Sequence, residues 1–135
     1  MCVANSARSQ LAEGLAKKIF HGVAEIESAG SEPKHVNPYA VRVLGELGID
    51  ISRNRSKGFN DLSPRFLVDL DYVITLCAEE VCPVLVSQTA QKLHWPFPDP
   101  ATKEPLPEDM MLGRFRTARD GIKARLEQFK REIAP

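Results

Sequence analysis

Alternating helical and strand-like segments predict an α/β domain, layered with helices on both sides of a small parallel sheet. Three observations carry this. Leu11, Leu15, Ile19 and Phe20 recur at helical spacing directly after residue 9. Leu70 to Leu76 is β-rich and mostly apolar, as a buried parallel strand is. Phe115, Ala118, Ile122, Leu126, Phe129 and Ile133 form one stripe among charges, which reads as a helix packed on the sheet.

The elements follow in order. Val23 to Gly30 alternates in apolarity and stops at Gly, as a strand does. Asn37-Pro38 supplies an N-cap and a first-turn proline, and the helix it opens runs through Ala40, Val41, Leu44 and Leu47 to Gly48. Residues 49–61 read as loop, and a short helical turn is expected over Pro64 to Val68. Lys92 to Phe97 is a second, shorter strand candidate. Arg53, Arg55 and Lys57 read as a solvated loop, with an anion or partner entrance as the alternative. His21, His35 and His94 have no ligand-like spacing.

At 135 residues with ordinary apolar content, the chain is expected to be one domain, 1–135, with one core. Its formal net charge of zero gives no global field to recruit nucleic acid or an anionic membrane. No apolar run approaches bilayer length, and the first residues do not form a secretory signal. Three cysteines, an odd number, argue for functional thiols in a reducing cytoplasm over a disulfide framework.

The most informative run is Cys2-Val3-Ala4-Asn5-Ser6-Ala7-Arg8-Ser9, immediately before the first helix. A loop of small residues turns successive backbone N–H groups toward an oxyanion, and the helix N-terminus adds to that field. Asn5 suits a left-handed backbone position where no Gly is available. Arg8 holds two oxygens bidentately, and the same positive field favours the Cys2 thiolate. Ser9 either hydrogen-bonds that thiolate or caps the helix.

Two further thiols, Cys77 and Cys82, stand four residues apart after the predicted strand. Taken alone, Cys77 reads as a small buried hydrophobe and Cys82 as an incidental thiol. In parallel sheets ligands bind beyond the carboxyl ends of strands, so Cys77 falls on the same rim as the Cys2 loop. Asp99, in Pro98-Asp99-Pro100, reads as a general acid or as an ordinary turn aspartate.

Cys2 to Gly14 resembles the signature of the low-molecular-weight tyrosine phosphatase fold. Asn5, Arg8-Ser9-Gln10 and Ala12-Glu13-Gly14 are similar, more narrowly, to its thioredoxin-coupled arsenate reductases. The likeness extends through Asn37-Pro38-Tyr39-Ala40, Gly48 to Ser52 and the Leu76-Cys77 region. It implies arsenate reduction to arsenite, with phosphate or sulfate as competing oxyanions. Cys2 is then the nucleophile and Asp99 the acid. Cys77 attacks Cys2, Cys82 takes over the disulfide with Cys77, and thioredoxin reduces it. Where phosphatases of this kind carry an aromatic residue after Asp-Pro, this sequence has Ala101, which favours a small inorganic oxyanion. Phosphate-monoester hydrolysis is the alternative.

Some members bind potassium beside the loop; carried over by resemblance, its ligands are Asn5, Glu13, Ser28 and Asp61. The plainer reading is that Asn5 and Ser28 order the loop while Glu13 and Asp61 are ordinary polar groups. The redox chemistry itself calls for no metal or organic cofactor, and a monomer is expected. The family also has a strand directly before the loop, where this sequence has Met1 alone. The resemblance thus implies a domain lacking its first strand. That leaves two readings: a misassigned start, or a truncated, non-catalytic product.

Overall fold

The computed structural model describes residues 7–30, 35–76, 90–102, 104 and 106–133. Helix α1 spans Arg8–Ile19, α2 Pro38–Gly45, a 3-10 turn Phe59–Asp61 and α3 Pro64–Val68. Strands β1 (Tyr72–Thr75) and β2 (Gln91–His94) follow, then the long helix α4 (Glu108–Ile133). The strands pair in parallel, with Tyr72 opposite Gln91 and Thr75 opposite His94. The layered α/β class is therefore as the sequence predicts.

Local chemistry starts the short helices. The Asn37 side chain accepts from the Tyr39 N–H and the Ser63 side chain from the Phe66 N–H, each with a proline in the first turn. The α-helix ends at Gly45, short of the expected Gly48. Its last turn tightens through Leu47 N–H to Leu44 O and Gly48 N–H to Gly45 O, and Gly48 takes φ +76°. At the far end of α1, Lys130 of α4 donates to the Ile19 carbonyl at 2.8 Å, a cation on a helix C-terminus.

The core lies where α1 packs against α2 and α4. Leu11, Leu15, Val43, Leu44, Phe115 and Ile122 are fully buried there. The glycine at position 14 permits the close approach of α1 to its neighbours: a Cβ on it would stand 2.7 Å from Leu44 Cδ1 and 2.9 Å from Ile51 Cγ2. Phe129 fixes α4 to the sheet, its ring edge-on to Tyr72 at 5.0 Å and to Trp95 at 5.3 Å.

Two expectations need correction. Residues 23–30 do not form a strand; only an isolated parallel bridge joins Gly30 to Gly58. A strand exists only by pairing, and the alternating residues here instead line an apolar cavity of about 690 Å³ shared with Val73, Ile74 and Leu126. The second strand is Gln91–His94 and not 92–97, although its hydrogen bonding continues: Trp95 N–H donates to Thr75 O and Phe97 N–H to Leu76 O.

Candidate active site

The parallel register brings the carboxyl ends of β1 and β2 to one rim, and α1 begins at that rim. Arg8, the first residue of α1, is buried at 3 % exposure. Its Nη1 donates to Phe97 O at 2.8 Å and Leu76 O at 3.4 Å, the carbonyls just past the two strands. Its Nη2 lies 3.9 Å from Asp99 Oδ2. Residues 7–10 are all buried, so the first turn of α1 sits inside the protein with the positive end of its dipole at the rim.

Asp99 is held as a turn aspartate and also faces Arg8. Its Oδ1 accepts from the Ala101 N–H at 3.0 Å, while its side chain stays 38 % exposed. Helix α4 braces this loop: Arg114 Nε donates to Pro100 O at 2.9 Å and Nη2 to Asp99 O at 3.2 Å. Sequence reasoning missed Arg114. Its signal was weak, one more basic residue on an amphipathic helix.

A second polar centre lies further along α1. Glu13 is buried, and its Oε1 accepts from the Ser28 N–H and Oγ at 3.0 Å each and from Lys57 Nζ at 3.1 Å. Its Oε2 accepts from Asn54 Nδ2 at 2.7 Å. Lys57 also binds Glu27, and Asn54 donates to Gln10 Oε1 at 3.1 Å. Lys57 sits above the ordinary lysine range: burial lowers it, but the Glu27 hydrogen bond and the Glu13 charge outweigh burial.

Of the expected residues, Ala7, Arg8 and Asp99 meet at the rim, and Glu13 and Ser28 meet behind it. Asp61 does something else, accepting from the Gly58 N–H with an exposed carboxylate. Ser9 lies one residue inside α1, whose N-cap is Ala7, so the capping role does not hold. Lys57 does not belong to a solvated loop, because its ammonium is drawn inward to a buried carboxylate. Cys2, Val3, Ala4, Asn5, Ser6, Cys77 and Cys82 lie outside the described residues.

The family model for low molecular weight phosphotyrosine protein phosphatases matches residues 1–134. The chain belongs to that family. Within it, arsenate reductase 1 of Staphylococcus epidermidis is 40% identical over 135 residues, covering 98% of this chain and 94% of the relative. A solved arsenate reductase in its phosphate-binding state superposes with a TM-score of 0.77 at 33% identity, covering 98% of this chain and 95% of that one. The thioredoxin-dependent arsenate reductase of Corynebacterium glutamicum gives 0.70 at 27% identity, over 98% of this chain and 58% of that one. No helix among the described residues is long and apolar enough to cross a membrane.

Proposed function

We propose that this phosphatase-family chain reduces arsenate to arsenite through a cysteine relay recharged by thioredoxin. The observation that carries the reading is the buried Arg8 guanidinium at the front of α1, oriented by two strand-end carbonyls and facing the Asp99 carboxylate. A guanidinium and a helix N-terminus converging on one rim suit a tetrahedral oxyanion. Relatives named arsenate reductases support the substrate, and the thioredoxin-dependent one supports the electron donor.

Arsenate binds with its oxygens on Arg8 and on the N–H groups of residues 3–9. The Cys2 thiolate attacks arsenic while Asp99 protonates the departing oxygen, which leaves as water. Cys77 then attacks the Cys2 sulfur; the S–As bond breaks, its electron pair stays on arsenic, and arsenite departs. Cys82 displaces Cys2 from Cys77, and thioredoxin reduces the Cys77–Cys82 disulfide by exchange. Ala101 offers no ring to stack on a phosphotyrosine, which favours the inorganic substrate over an aryl phosphate.

The test is arsenite production with thioredoxin, thioredoxin reductase and NADPH, run beside hydrolysis of an aryl phosphate. Cys77→Ser and Cys82→Ser should each abolish multiple turnover, and Arg8→Lys should cut kcat/KM by about a hundredfold by replacing the fork with a point charge. Ester hydrolysis without arsenite, undiminished in the two serine variants, establishes the phosphatase instead.

A further inference from the structure

Glu13 is the meeting point of three segments: α1 itself, residue 28, and the loop carrying Asn54 and Lys57. Its side chain is 1 % exposed, and a carboxylate so placed requires either a cation or several donors. It has both. Oε1 takes two hydrogen bonds from Ser28 and one from Lys57, and Oε2 takes one from Asn54. Lys17 adds a second ammonium 3.7 Å from Oε2.

The potassium ion implied by resemblance does not fit these residues. A carboxylate oxygen has about two lone-pair directions, and Oε1 already receives three donors. Asp61, a supposed ligand, is engaged with the Gly58 N–H. An added ion at Glu13 and Ser28 would also stand beside the Lys57 ammonium, two like charges sharing one oxygen. An ammonium group matches potassium in charge and closely in size, and both seek oxygen lone pairs.

We propose that the Lys57 side chain is this protein's tethered monovalent cation, occupying at Glu13 the place a free potassium ion would take. Glu27 holds its other side, so the charge is fixed between two carboxylates. The front of α1, with Arg8 five residues before Glu13, is then held by the chain's own cation, and its rigidity is independent of potassium.

Melting of the full chain in KCl, NaCl and choline chloride at equal ionic strength tests this without reference to the reaction proposed above. The unaltered chain should melt at one temperature in all three salts. Lys57→Ala should melt several degrees lower in choline chloride and recover, saturably, in KCl. Lys57→Gln, which keeps the stem and loses the charge, should recover in the same way if the alanine variant folds poorly. Two results overturn the proposal. One is potassium-specific stabilisation of the unaltered chain. The other is an equal loss in all three salts for both variants, which would make Lys57 an ordinary ion-pair partner.

Discussion

Glu13 and Glu46 each gather two cations, and their surroundings give the two clusters different consequences. Glu13 receives Lys57 and Lys17 with its carboxylate shut away from water. Glu46, just after α2, receives Arg116 bidentately and Arg119 Nη1 at 2.8 Å, yet its side chain is 38 % exposed. The hydrogen bond from Arg116 leads in lowering the Glu46 pKa to about 2, with Arg119 assisting. Water and salt screen that attraction, so a well-formed surface cluster contributes little. At Glu13 the alternative to pairing is a bare buried charge, and the cluster is indispensable. Geometry alone does not separate the two; solvent access does.

The largest contrast should come from Glu13→Ala. It leaves Lys57 facing a void and three segments without their common acceptor, at a cost of about 3 kcal/mol, or roughly 10 °C in melting temperature. A loss comparable to that of Glu46→Ala would break the comparison. Gly14→Ala tests whether packing matters as much as charge on the same helix. Its methyl would press on the Cδ1 end of Leu44 and on the Cγ2 branch of Ile51, both buried in the core, at a cost of about 2 kcal/mol. Unlike Lys57→Ala, it should leave the melting temperature insensitive to salt type.

Glu46→Ala should shift melting least, by an amount that added salt shrinks further. Acid sharpens this last arm. The folded pKa of Glu46 lies below its ordinary 4.5, so its contribution is complete above that value and disappears as pH falls through about 2. Melting temperatures of Glu46→Ala and the unaltered chain should therefore converge at the acid end, with the difference opening as pH rises from about 2 and reaching its full size by 4.5.

What could be read from the sequence follows the distance over which each signal acts. Asn37-Pro38 and Ser63-Pro64 start helices through contacts two or three residues long. The first pair reads as a helix start and the second helix only as a turn over Pro64 to Val68, and both begin at the expected prolines. Strand β1 was legible because a mostly apolar run of β-formers has few other uses, although only Val73 of it is fully buried and its neighbours are half-buried. Residues 23–30 carry an equally good alternation, but a ladder depends on a neighbour that no local pattern specifies. Arg8 stood out by its spacing from Cys2. The Glu13–Lys57 contact spans 44 residues, and a lysine in a basic loop gives no sign that it turns inward. The structure buries the first half of α1, so Arg8, Gln10 and Glu13 all need partners there, but the apolar stripe of Leu11, Leu15 and Ile19 gave no sign of it.

Trp95 is the chain's single tryptophan. It is buried at the end of β2, its ring beneath the Arg125 guanidinium at 4.3 Å and edge-on to Phe129. Two residues later comes the carbonyl that orients Arg8, and two beyond that Asp99. The molecule thus carries its own optical probe where α4, the sheet and the acid-bearing loop join. A change in emission colour on adding an oxyanion would register movement of that junction with no label attached.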